Sequence, residues 1–303
     1  MSNVLTTRQM RPAVGVAQSA TEWPKLRHRS PGEVRVGDAV TETRKSKLPE
    51  SLGFREGTSS VHTSRTMMLG ELSLVLEHVG PKAKADEYLA AVVEQNVLGK
   101  PTQTTRKRTA QRLVELYALD QTRPVFRLLR HFWTADASNR PMLAYLAAAA
   151  RDPLLRESTP FVVAISINAA LNATQIAGHL AERYPSRFKP TTLISTAQRL
   201  ASSWTQAGYL LGKVNKKRTR PVVTPVVVTF ALLLGYLCGS RGKMLLDTVW
   251  TRMLDRTPAE IANLATEASK QGWMNYKAAG SVVEITFPGL LTPKEEKASN
   301  EPD

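Results

Sequence analysis

Apolar residues recur at helical spacing from Thr66 to Arg151, in the runs "MMLGELSLVLEHV", "DEYLAAVVEQNVL", "RLVELYAL", "PVFRLLRHFW" and "PMLAYLAAAA", with short polar turns between them. The pattern predicts a helical bundle. From Phe161 to Thr224 the grammar changes. Asn172 and Gln175 form a capping box that opens "ATQIAGHLAERY", whose Ile176, Leu180 and Tyr184 share one face. "PSRFKP" breaks the chain. A second helix begins near Pro190, turns Leu193, Ala197, Leu200, Ala201 and Trp204 inward, and ends at Gly208. Behind it stand an extended run "YLLGKV", a polar tip "NKKR" and a second extended run "TRPVVT". Helix, turn, helix and hairpin in that order predict a winged helix-turn-helix, whose second helix is the element that enters a major groove.

The most apolar stretch, Pro221 to Ser240, carries no charge. Pro221 and Pro225 interrupt its first part, and the residue before a proline avoids the helical region. What remains, Pro225 to Cys238, is about 14 residues, or roughly 21 Å of helix, against the ~20 residues a membrane span needs. Thr224 as cap, Pro225 at the first position and Gly239 at the end predict a buried core helix, with no membrane partner. The Gly235 and Gly239 spacing reads as close helix packing. Farther on, Thr257, Pro258 and Glu260 open a helix with an apolar stripe of Ile261, Leu264, Ala265 and Ala268. Gly272 ends it, and a hairpin follows from "WMNYK" through "AAGS" to "VVEITF". Residues 1–60 mix Pro, Gly, Ser and Thr with scattered basic side chains and predict a flexible arm; residues 291–303 predict a disordered tail.

Charge moves the question from fold to partner. A formal net charge of +15 and a sequence pI of about 10.1 point to polyanions. The N-terminus has no continuous apolar region before a cleavage site, so the expected location is the cytoplasm. The single cysteine, Cys238, excludes an intramolecular disulfide and a thiolate zinc site, and is expected as a small buried side chain. His28, His62, His78, His131 and His179 are scattered without metal-ligand spacing. "GSRGKM" is not a phosphate-binding loop, because its glycine spacing is wrong and Met244 replaces the magnesium-binding hydroxyl residue. No catalytic residue, metal or cofactor is expected.

The candidate contacts to double-stranded DNA fall in three groups. Lys189, Thr191, Thr192, Ser195, Thr196, Gln198, Arg199 and Ser202 lie on or just before the second helix, none of them acidic. Lys216, Lys217, Arg218 and Arg220 occupy the wing, where they reach flanking phosphates. Arg106, Lys107 and Arg108 stand in the first turn of a helix, where the macrodipole disfavours positive charge. An anionic partner accounts for those three, and so would an acidic neighbour formed by Asp86, Glu87 or Glu94.

"VVEQNVLGKPTQTTRKRTAQRLVELYAL", the helices up to "LLRESTPFV", "TTLISTAQRLASSWTQAGYLLG" and "RPVVT" together resemble the BrxA family of BREX bacteriophage-exclusion systems, over roughly 59–288. The resemblance implies a NusB-like helical domain and a winged helix; together with the residue pattern this predicts a mainly α fold of a NusB-like helical bundle (61–158), a winged helix-turn-helix (159–224) and a C-terminal helical part with a β-hairpin (225–290), the last of these, like the basic N-terminal arm, longer than the family pattern. It implies a non-enzymatic DNA-binding accessory protein of a phage-defence island, with other BREX components as partners. An interaction scaffold or RNA-binding protein that docks acidic partners is the second reading that the residues leave open.

Overall fold

The computed structural model describes residues 48–300. It is mainly helical. Six helices come first: α1 (Leu69–His78), α2 (Ala85–Val93), α3 (Gln103–Tyr117), α4 (Pro124–Phe132), α5 (Arg140–Arg151) and α6 (Pro153–Ala164). α5 is apolar all round, so it can only sit inside. Every residue from Met142 to Ala150 is buried, and α3, α4 and α6 pack around it. Strand β1 (Ala170–Leu171), helices α7 (Ala173–Arg183) and α8 (Pro190–Ala207), and strands β2 (Leu210–Leu211) and β3 (Lys216–Arg218) follow. The three strands form an antiparallel sheet in the order β1-β3-β2.

α9 (Pro225–Leu237) is the predicted core helix. Thr224 caps it, accepting from the Val227 amide at 3.4 Å, and Gly239 leaves at φ 89°. Eleven of its thirteen residues are buried, against α4, α5 and α11 among others. At Gly235 a Cβ would lie 3.0 Å from the Thr248 methyl group, so the small residue there serves close packing. No single helix among the described residues is long and apolar enough to cross a membrane. α9 and the segment Gly242–Arg252 reach that composition only as a pair bent by 114°. The chain closes with α10 (Val249–Arg252), α11 (Pro258–Lys270), the hairpin β4 (Asn275–Ala279) and β5 (Val282–Thr286), and α12 (Pro293–Asn300). One continuous core runs through all these segments.

Three expectations change. The predicted arm, 1–60, ends sooner: Leu52 and Phe54 are buried, Phe54 packs on Trp250 at 5.4 Å, and the Arg55 amide donates to Ala150 at 3.0 Å. Two apolar side chains in a polar context set no period, yet burying them ties the segment down. The rest of the arm lies outside the described residues. The predicted tail contains α12, capped by Thr292 and Glu295 and fixed by a 2.7 Å ion pair from Glu295 to Arg127; residues 301–303 lie outside the described part. Finally, "NKKR" is not the tip of the first hairpin. Lys216, Lys217 and Arg218 form β3, and the turn is Gly212 to Asn215. Gly212 takes φ 108°, and a Cβ there would run into the Asn215 carbonyl, so the chain reverses at the glycine. "TRPVVT" forms no strand, since Pro221 has no N–H to give a ladder.

Candidate nucleic-acid interface

The unit that could meet a polyanion is built by local rules. Asn172 and Gln175 exchange hydrogen bonds at 2.9 Å and start α7. Pro190 occupies the first position of α8, and Gly208, at φ 91°, stops it. Ala197, Leu200, Ala201 and Trp204 are buried, as their spacing predicts, and Leu193 is partly so. Thr196 is buried as well, with its hydroxyl lacking a partner, so it leaves the set of groove-facing side chains. The outer strip of α8 carries Thr191, Ile194, Ser195, Gln198, Ser202 and Thr205. Apart from Ile194 it is polar, and it is free of acid.

The flank beside that strip is already in use. Ser203 Oγ accepts from the Met67 amide at 2.9 Å, Gln206 Oε1 from the Leu69 amide at 3.1 Å, and Arg199 donates to the Thr63 carbonyl at 2.7 Å. Arg199 thus holds α8 to the segment before α1, and also donates to Ser195 Oγ at 3.1 Å. Lys189, Thr191 and Gln198 are exposed, with Thr192 and Ser195 partly so.

The wing separates arginine from lysine. Arg218 is 0 % exposed. It donates to the Val162 carbonyl at 2.7 Å and to the Thr219 carbonyl, and pairs with Asp255 at 2.8 Å. Its guanidinium joins the sheet to α6 and to the loop after α10, and cannot reach a phosphate. This corrects its place among the contacts, and has a clear cause: β3 is the central strand, and its side chains alternate between solvent and core. Arg220 is exposed but lies 3.7 Å from Asp255 and 3.3 Å from Glu260. Lys216 donates to Thr205 Oγ1 at 2.8 Å and to the Gly212 carbonyl at 3.1 Å, which pins the hairpin to α8; burial lowers its pKa. Lys217 is exposed and, among the described residues, has no ion-pair partner. Lys213, in the turn, shares that state. Reading the tip one strand too late hid Lys213; Gly212 was the signal for it. Leu211 and Val214 beside it are 69 % and 89 % exposed.

On the bundle, Arg106 donates to the Val93 carbonyl at the end of α2 at 3.2 Å. Lys107 and Arg108 are exposed, and none of the three pairs with Asp86, Glu87 or Glu94. The acidic-neighbour account of these charges therefore finds no support in the contacts.

One constellation escaped the sequence reading altogether. His62, taken as scattered, lies with Nδ1 2.9 Å from Asp152 Oδ2 and Nε2 2.9 Å from Ser203 Oγ. Ser60 Oγ donates to the same carboxylate at 2.8 Å, as does the Leu155 amide at 3.0 Å. Burial pushes the Asp152 pKa up, but the His62 charge and these hydrogen bonds outweigh it and hold the carboxyl at about 2. The residue types are those of a serine, its base and a carboxylate, but Ser203 Oγ donates to the Arg199 carbonyl at 3.0 Å. The exposures, 0 % for His62, 1 % for Asp152 and 0 % for Ser203, leave no room for a substrate. Here the constellation joins the segment before α1, the start of α6 and the middle of α8. The partners stand 90 and 141 residues apart in the chain, which no local spacing could show.

The whole is a basic, mainly helical protein with a helix–helix–sheet unit anchored on a helical bundle. A family model described as BrxA matches residues 59–171. The match spans α1 to α6 and β1, and stops before α7. The matched family suggests a role in BREX phage defence. No curated protein matches the chain.

Proposed function

We propose that the chain is a non-enzymatic, DNA-binding accessory protein of a BREX-type phage-defence system. In this reading α7, α8 and the β1-β3-β2 sheet act as a winged helix, carried on a NusB-like bundle of α1 to α6. The observation that carries it is the pairing of exposed Lys213 and Lys217 on the hairpin with an acid-free outer strip of α8, held side by side through Lys216 and Thr205. Lysines without a local carboxylate neutralise phosphates and release counterions. Lys189, Lys107 and Arg108 add to the phosphate-facing charge. Base reading is thin, because Arg199 is turned to a protein carbonyl and Gln198 is the longest exposed hydrogen-bonding side chain of the strip. Phosphate contact therefore dominates and sequence preference is weak.

Binding of a random duplex and of single-stranded RNA of equal length, each titrated over a salt series, tests the reading. Tighter, strongly salt-dependent binding of the duplex is expected. Equal or tighter binding of RNA would move the chain to RNA binding or to docking on acidic partners.

A further inference from the structure

A cavity of about 410 Å³ lies on the bundle and is lined by Pro81, Lys82, Gln121, Arg127, Arg130 and His131. No carboxylate lines it. Arg130, on α4, is 6 % exposed, and its only hydrogen bond is from Nη2 to the Val79 carbonyl at 2.8 Å. Its Nε is buried without a partner, and among the described residues it makes no ion pair. The other arginine of the lining, Arg127, is already paired, with Glu295 at 2.7 Å. Lys82 is exposed on the loop between α1 and α2 and has no ion pair either. Partial burial, and then the charge of Arg127, hold the His131 pKa below its ordinary value, the direction a positive surrounding produces.

A buried guanidinium without a counter-charge is unfavourable, and the partial charge at the end of α1, where Val79 sits, offsets only a fraction of it. Its free N–H groups form a planar fork matched to tetrahedral oxyanions. We propose that this cavity binds a phosphate group, with Arg130 as the fork and Lys82 as the second charge. The volume exceeds one phosphate and falls in the range of small-ligand sites, so the phosphate comes either as a free polyphosphate or on a nucleotide. This site is independent of the DNA reading.

The test uses the full chain and inorganic pyrophosphate, with sodium chloride at matched ionic strength as reference, followed by thermal midpoint and by the Nε resonance of Arg130. A saturable rise in midpoint and a shift of that resonance are expected. Lys82→Ala and Arg130→Lys should each weaken the apparent affinity at least about tenfold. Should Arg130→Lys fail to fold, Lys82→Ala and the wild-type resonance still decide. Adenosine monophosphate, set against adenosine, identifies the source: binding of the monophosphate but not the nucleoside supports a phosphate carried on a nucleotide. A response that only follows ionic strength, an unchanged affinity in Lys82→Ala, or adenosine binding as strongly as its monophosphate overturns the proposal.

Discussion

Two stretches of this chain use the same order of elements and come out chemically different. α8 runs to Gly208 and then to the β2–β3 hairpin; α11 runs to Gly272 and then to the β4–β5 hairpin. The first helix has no acidic residue, and its hairpin exposes Lys213 and Lys217. The second carries Glu260 and Glu267, its turn is Gly280 and Ser281, and Lys277 faces Glu284 across the strands. Element order follows from caps and glycines, which the two stretches share. Affinity for a polyanion depends instead on which cations lack a partner, and only the first leaves any at its tip. Arginine is a poor guide to these, since Arg199, Arg218 and Arg106 all turn to backbone carbonyls, as a planar, weakly hydrated fork readily does.

The two units also differ in their anchors, and there the contrast breaks with the largest effect. Asp152→Ala leaves buried His62 and Ser60 without their acceptor, at an expected cost of about 3–5 kcal/mol in urea unfolding. α11 has no such buried ionic anchor among the described residues; a loss under 1 kcal/mol would mean that the α8 anchor contributes as little as a surface contact. The pH dependence sharpens the same point. A carboxyl held at about 2 when folded, against 3.8 ordinarily, stabilises the fold fully above pH 4. That stabilisation, about 2 kcal/mol, is lost as the pH falls from about 4 toward 2. In Asp152→Asn this acid step should disappear; an unchanged acid transition would place the sensitivity elsewhere.

Much of this was legible in the sequence, and the exceptions are instructive. The first five helices of the bundle, both capping boxes and the core helix α9 follow from spacing and caps; α6 does not, since Pro160 stands inside it and it runs across the predicted boundary at 158. The "TPAE" signal that located α11 recurs as "TPKE" at Thr292, where high polarity concealed a helix that is held by Arg127 and Arg241 rather than by an apolar stripe. Leu52 and Phe54 were too few to set a period. For the candidate site, the outer strip of α8 was readable from helical spacing. The fate of the arginines was not, because the partners of Arg218 lie 56 and 37 residues away.

The salt dependence of duplex binding tests the central claim most directly. Replacing Lys213 and Lys217 together with Ala should weaken binding on every duplex and flatten the slope of log affinity against log salt by about two, close to one unit for each lost phosphate contact. Lys277→Ala, on the second hairpin, should leave that slope unchanged. An unaltered slope in the Lys213/Lys217 variant, or an equal change in Lys277→Ala, would contradict the assignment of phosphate binding to the first hairpin.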